Sequence, residues 1–540
     1  MKKRLLAALL GSALMLSALS GCGQGSATPA ESETTVGANA AVKDELVFVN
    51  FRDIRDLNPH LYAGEMYAQS ILYDTLVRVS DSEDAVDGVV PCLAESWEIT
   101  EEGTVYTFHI RQGVTFTDGA VCDANAIKAN FDAILENKDR HTWLEMMNVL
   151  ESVEATDDNT LVIRLNSAYY PMLIELGGTR PFGMISPNCM IDGSTMNGVN
   201  GHIGTGPYIL TDFVTDEYAV FERNDNYWGD KPAIRKITVK VIPDNQTRIM
   251  ALESGEIDLI YGKDMLDAEA LTSYMDSDKF TVELSDPIST RQLLMNTTDE
   301  VLGDVAVRKA LQHATNKQAI SNGIFSGLET PADFLYSTSV PYCDVGLTAY
   351  SYDVDEAVSL LEDAGWVLGN DGIREKDGVK LAFSLLYCSD RVTEKNIAEY
   401  LKQEYSALGI SMDIHGEEEQ SYRDNMKAGN FDMVFNIAWG TPQDPQSSMA
   451  AMRAPVYGDY AAQQGLDDKA EIDQAISDIL VSTDETARQE LYDFVLTRLH
   501  KDAVYIPLTY ECNKALFTNA LSGVGFDANC YRIPFEGMYF

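Results

Sequence analysis

The sequence predicts a mixed α/β fold built as two lobes, and three observations carry that expectation. About 500 of the 540 residues follow the leader and tether described below, and with 45% hydrophobic content they exceed what one core usually supports. Short strand patterns and helices succeed one another irregularly after Glu45, which favours mixed lobes over a single doubly wound sheet. No stretch after the leader is apolar for long enough to cross a bilayer.

At the start of the chain Lys2, Lys3 and Arg4 precede an apolar run from Leu5 to Leu19 that stops at Ser20, Gly21 and Cys22. A charged start, a short apolar run and small residues at the cut predict a secretory leader over residues 1–21. The ending Leu19-Ser20-Gly21-Cys22 resembles the bacterial lipobox, which implies that Cys22 becomes a lipidated first residue; an ordinary cleaved leader is the alternative. From Gly23 to about Lys43 the chain is Gly, Ser, Thr, Ala and Glu with almost nothing large and apolar, so residues 22–44 read as a flexible tether. The expected location is outside the cytoplasm, held to the membrane by lipid, at a cell surface or in a periplasm.

The formal net charge is −44, and three units more negative without Lys2, Lys3 and Arg4. A field of that sign repels phosphate backbones and argues against a nucleic-acid partner. Besides Cys22 the cysteines are Cys92, Cys122, Cys189, Cys343, Cys388, Cys512 and Cys530, an odd number scattered singly. That pattern predicts neither a disulfide framework nor a zinc knuckle.

In the first lobe Tyr106, Phe108 and Ile110 alternate with Val105, Thr107 and His109, and a second short run, Val114 to Thr117, suggests a hairpin-like unit. Asp123 is placed to cap a helix through Ile127, Phe131 and Ile134. Ile237, Val239 and Val241 predict a strand that ends at Pro243. In the second half Asp304 should cap a helix from Val305 to Ile320, and Asp353 a helix ending at Gly365. Ser482 to Glu485 should start a helix over 486–500, followed by a strand from Ala503 to Tyr510 interrupted by Pro507.

From Glu45 onward the chain carries a family likeness. Ala94-Glu-Ser-Trp97, Tyr106-Thr-Phe108, Arg111, Val114-Thr-Phe116 and Asp118-Gly119 resemble the signature of the family 5 extracellular solute-binding proteins, which serve peptide and nickel importers. Gly204-Thr-Gly-Pro-Tyr208, Asn224-Asp-Asn-Tyr-Trp228, Glu253-Ser-Gly-Glu-Ile-Asp258 and Met295-Asn-Thr297 follow in the order of that family. Within it, Leu57 to Tyr62, Arg140-His-Thr-Trp143, Ser167 to Pro171, Arg180-Pro-Phe182, Trp439-Gly440 and Ile533-Pro-Phe535 resemble the nickel-binding branch. The resemblance implies a periplasmic-binding-protein-like fold of class II with the ligand cleft between lobes. The first lobe, residues 45–285, would be enlarged by a subdomain and completed by residues 505–540, and the second would span residues 286–504. It also implies a monomer with no resident cofactor, working with the permease and ATPase subunits of an ABC importer.

What the resemblance implies for the site follows from how such proteins grip a chelated metal. Arg140 and Arg180 would hold ligand carboxylates through the planar fork of the guanidinium. Trp143, Trp439, Tyr62 and Met66 would form walls that exclude water. Where the nickel branch places a metal-contacting histidine this chain has Tyr457, and where it often has an aromatic after the tryptophan this chain has Gln443. A phenol is a poor nickel ligand at neutral pH, so the expectation is a saturated metal chelate rather than a bare ion. His60, His141 and His415 are weaker candidates for the metal, since none of the histidines falls in a tight ligating spacing. An oligopeptide is the alternative ligand. No H-E-x-x-H, G-x-S-x-G or phosphate-loop lysine is present, so an enzyme such as a metal-dependent hydrolase is not expected.

Overall fold

A computed structural model of the protein describes residues 43–61, 64–141, 143–439 and 445–540. The leader, Cys22, the tether as far as residue 42, Tyr62 and Gln443 lie outside the described residues. No described helix is long and apolar enough to cross a membrane.

One large sheet runs through the molecule. Its strands are β1 (Glu45–Asn50), β2 (Tyr208–Val214), β3 (Tyr218–Arg223), β4 (Lys236–Val241), β5 (Leu259–Tyr261), β6 (Phe280–Met295), β7 (Ala382–Cys388), β8 (Ser411–Glu417), β9 (Met433–Trp439) and β10 (Tyr505–Thr518). The spatial order is β2-β3-β4-β1-β5-β10-β6-β9-β7-β8, with Thr330–Pro331 paired to β10. Neighbouring residues face opposite layers, as the strand period requires. Leu259 and Phe517 join one core of the first lobe while Ile260 and Leu516 join another, and Leu293 and Leu294 divide the same way in the second lobe.

Among the described strands only β6 and β10 pass through both lobes. Beside β5, β10 pairs through Ala515, Leu516 and Phe517; beside β9, β6 pairs from Ser289 to Met295. Between those stretches the β6–β10 register shifts twice, at Leu284/Pro287 and at Pro287/Ser289. Pro287 has no N–H to give the ladder, and successive register shifts bend and twist a strand pair. The two-lobe fold therefore has its junction where β6 and β10 support each other without a lobe strand alongside.

The first lobe carries a separate four-stranded antiparallel sheet in the order Ala94–Thr100, Val105–Ile110, Thr160–Leu165, Leu150–Asp157, with its own core around Phe108, Phe116, Ile127 and Ile163. The expected hairpin does not form there. Val105–Ile110 pairs with Ala94–Thr100 and with Thr160–Leu165, and the following segment makes only a bridge of its own between Thr115 and Val121. Asp123 caps Ala124–Glu136 by accepting from the Ala126 amide at 2.9 Å, as expected. The helix begun by Asp304 stops at Ala314 rather than Ile320. Thr315 donates its hydroxyl to the Leu311 carbonyl at 2.7 Å, and Asn316 caps a second helix, Lys317–Ile324, through the Ala319 amide. Asp484 caps the helix Glu485–Lys501, and β10 extends to Thr518 with Pro507 inside it.

Candidate functional site

Arg140 and Arg180 donate to carbonyls close together in sequence, those of Leu61 and Gly64. Arg140, on the turn Lys138–His141, donates from Nη1 to the Leu61 carbonyl at 3.4 Å. Arg180 donates from Nε to Gln69 Oε1 at 2.6 Å and from Nη2 to the Gly64 carbonyl. Leu61 and Gly64 flank Tyr62 in sequence, and half-buried Met66 begins the helix Met66–Leu72 that carries Gln69. Gly64 sits at φ +83°, where an added Cβ would lie 2.1 Å from the Asp56 carbonyl oxygen, so only glycine permits this turn. A guanidinium presents its N–H groups as a planar fork, the geometry that can take a carboxylate bidentately. Trp143, three residues after Arg140, is 45% exposed, which is unusual for so large an apolar side chain.

Behind these residues His60 and His141 form a buried pair. Neither is exposed at all, and His60 Nδ1 lies 3.1 Å from Thr195 Oγ1. Burial lowers His60 to about 3, with His141 adding to the effect. Burial and the neighbouring Arg140 bring His141 to about 4. Both imidazoles are neutral at physiological pH.

Trp439 is the last residue of β9, opposite Ser289 of β6, so it stands at the lobe junction. Its ring centroid lies 6.0 Å from that of Tyr531, in the C-terminal segment, and the Lys263 ammonium lies 5.4 Å from it on the other lobe. Lys263 Nζ is 3.2 Å from Glu511 Oε2. Burial opposes the lysine's charge, and Glu511 and Asp264 restore it, so the ammonium is held above its usual range. Sequence reasoning missed Lys263 and Tyr531 because their nearness to Trp439 depends on contacts between lobes. Tyr457 occupies the N-cap position of Gly458–Ala462 and is 42% exposed. Burial by its surroundings raises its phenol, partly offset by Arg423 and reinforced by Asp459, so it stays protonated at neutral pH.

Below Trp439 the junction holds a buried ionic cluster. Glu511 accepts from Ser289 Oγ at 2.6 Å and from Arg291 Nη2 at 2.5 Å. Glu329 lies 3.6 Å from both Arg291 Nη2 and Lys514 Nζ and accepts from Thr509 at 2.7 Å. Burial works against the Glu511 charge, but Arg291 and Lys263 overcome it and hold the carboxyl below its usual range.

His415 is placed elsewhere. It is exposed on β8, at the edge of the sheet, level through Leu386 with Val434. Val434 is five residues before Trp439, a rise of about 16 Å at strand spacing, so His415 does not join that end of the sheet. Glu418 and Glu419 mark the start of the helix Glu419–Ala428. Among the described residues no group of three or more His, Cys, Asp or Glu side chains could hold a metal ion.

Two α/β lobes joined by two strands, with cationic and aromatic side chains gathered at the junction, define a two-lobe ligand-binding protein. The family comparison agrees: residues 88–459 match the bacterial extracellular solute-binding proteins, family 5, and the chain belongs to that family. It is 41% identical over 502 residues to the nickel-binding periplasmic protein of Escherichia coli (strain K12), covering 92% of this chain and 95% of that one. Its structure is similar to that of NikA from Brucella suis in complex with Fe(III)-EDTA, at a TM-score of 0.88 and 43% identity over 92% of this chain and 99% of the other. The dipeptide-binding protein of Escherichia coli (strain K12) is 26% identical over 502 residues, 87% of this chain and 89% of that one.

Proposed function

We propose that this protein is the extracytoplasmic substrate-binding component of an ABC importer and captures a transition-metal chelate, with nickel the leading metal. The observation that carries this reading is the convergence of Arg140 and Arg180 on the carbonyls either side of Tyr62, beside an exposed Trp143. Paired guanidinium groups suit the carboxylates of a chelator, and two of the relatives named above are a nickel-binding protein and a protein held with a ferric chelate. A protonated Tyr457 suits a metal whose coordination is filled by its chelator. The protein binds and releases without chemistry.

The division that goes with this reading is a first lobe of residues 45–285 with 505–540, and a second of residues 286–504. Cys22 would carry lipid and tether a monomer beside its permease and ATPase partners. A peptide ligand is the second reading, favoured by the likeness to the dipeptide-binding protein. Native mass spectrometry of the mature protein mixed with nickel and L-histidine tests the proposal. It predicts a stoichiometric complex of protein, metal and chelator with no product formed; a complex with peptide alone contradicts it.

A further inference from the structure

A second contact joins the lobes, far along the chain from the β6–β10 junction. Tyr170 follows the strand Thr160–Leu165 of the first-lobe subdomain, and its amide donates to the Leu480 carbonyl at 2.9 Å. Leu480 lies near the end of the helix Lys469–Val481, yet it is buried in the subdomain core with Tyr169, Met172 and Leu173. The Tyr170 hydroxyl is 3.1 Å from the Tyr342 hydroxyl and 3.1 Å from Glu485 Oε1. The Arg488 guanidinium lies 3.6 Å from the Tyr170 ring centroid and is not exposed at all.

The second lobe builds this socket by itself. Arg488 donates to the Ile479 carbonyl and to Gln446 Oε1, Tyr342 donates to Glu485, and the Tyr342 ring stacks on Tyr492 at 5.0 Å and 9°. Tyr170 is the one aromatic ring that the first lobe contributes to the three facing Arg488 within 6 Å, among the described residues. A second tie lies nearby in the sequence of both lobes, between Arg453 Nη2 and Glu145 Oε2 at 3.5 Å.

From this arrangement we propose that Tyr170 and its socket of Tyr342, Glu485 and Arg488 form a clasp that holds the lobes closed and sets the affinity for whatever ligand the cleft takes. A cation under an aromatic face gains most when water is excluded, and opening the lobes would wet the guanidinium that Tyr170 now covers. The pre-built socket makes closure cheap in side-chain entropy. Apparent affinity is the intrinsic affinity scaled by the fraction of molecules in the binding-competent state, so a clasp outside the cleft tunes binding without touching ligand. This rests on the reading that capture closes the lobes, but not on which ligand is captured.

The test begins without ligand. Small-angle scattering and amide hydrogen exchange are recorded for the mature protein, Tyr170→Ala and Tyr170→Phe. The clasp predicts a larger radius of gyration for Tyr170→Ala, exchange at least tenfold faster over residues 166–176, and an intermediate result for Tyr170→Phe, which keeps the ring over Arg488. In a second arm, titration with nickel plus L-histidine should give a dissociation constant about tenfold weaker for Tyr170→Ala, with an unchanged far-ultraviolet spectrum. Identical scattering and exchange in all three proteins overturn the clasp. A scattering change with no binding of nickel and L-histidine by any of the three supports the clasp and removes the metal-chelate reading instead.

Discussion

Lys263 and Trp439 come from opposite lobes, yet the ammonium lies 5.4 Å from the centroid of the indole ring. The contact puts a charged group and a fluorophore together at the junction where ligand capture is proposed. Trp228 and Trp366 are engaged with Asp74 and Asp304, at 2.9 and 3.1 Å, and Trp97 packs against the subdomain core. Of the five tryptophans, Trp143 is 45% exposed and Trp439 stands at the lobe junction, which makes these two the reporters to follow on ligand addition. Addition of nickel with L-histidine should change the emission, and Trp439→Phe should remove most of that change. A full signal in Trp439→Phe would place the ligand elsewhere.

Arg140 is exposed at the end of its turn, so Arg140→Ala should leave the thermal midpoint nearly unchanged while weakening chelate binding. A hydrogen bond to a charged group contributes about 1.5–3 kcal/mol, which is roughly tenfold to a hundredfold in affinity. Arg180→Ala should weaken binding and also lower the midpoint, because Arg180 ties Gly64 and Gln69 together. Arg180→Lys should not restore either property, since an ammonium cannot reproduce the planar fork. Equilibrium dialysis with thermal unfolding separates the two effects.

Asp74 is 4% exposed and accepts from Thr205 Oγ1 at 3.0 Å, Trp228 Nε1 at 2.9 Å and Tyr227 Oη at 3.4 Å, with Arg78 Nη2 also at 3.4 Å. Removing it leaves a charge and several donors without their acceptor. Asp74→Ala should cost roughly 3–5 kcal/mol of stability, read as a lower urea midpoint. An unchanged midpoint would mean that the carboxylate does not organise this part of the lobe.

How much of this was legible depended on distance along the chain. The alternation of Ile237 and Val239 and the caps at Asp123 and Asp353 are local signals, and each element formed where it was read. The run Val114 to Thr117 looked like the partner of Val105–Ile110 because it was near, but strands 94–100 and 160–165 took both edges. At Thr315 a side chain competing for the helix backbone ended a helix that periodicity alone would continue. Arg140 and Arg180 were reached through family resemblance, not through pattern, and no local pattern could bring Lys263 and Tyr531 to Trp439.

His60 and His141 give stability a pH dependence with a definite sign. Both are held below the ordinary value of 6.5, at about 3 and about 4, so the unfolded chain binds more protons than the folded one between those limits. Their contribution is fully present above pH 6.5 and is lost as pH falls toward 4 and below. Fully buried His60 contributes up to about 1.4 kcal/mol per pH unit in that window. Asp459, pushed up to about 6 by burial, tilts the other way over the upper part of it, its contribution falling as pH rises. In an Asp459→Asn background, urea midpoints should therefore fall as pH drops through the window, and adding His60→Asn should flatten that fall. An equal slope with and without His60 would contradict the assignment.

The central claim, that Arg140 and Arg180 clamp the carboxylates of a chelate in the cleft, is tested most directly by calorimetric titration of the metal-stripped mature protein. Nickel alone comes first, followed by nickel with L-histidine. The account predicts no heat of binding with nickel alone and a one-to-one isotherm once the chelator is present. Silence in both titrations, or equal binding of the bare ion, would contradict it.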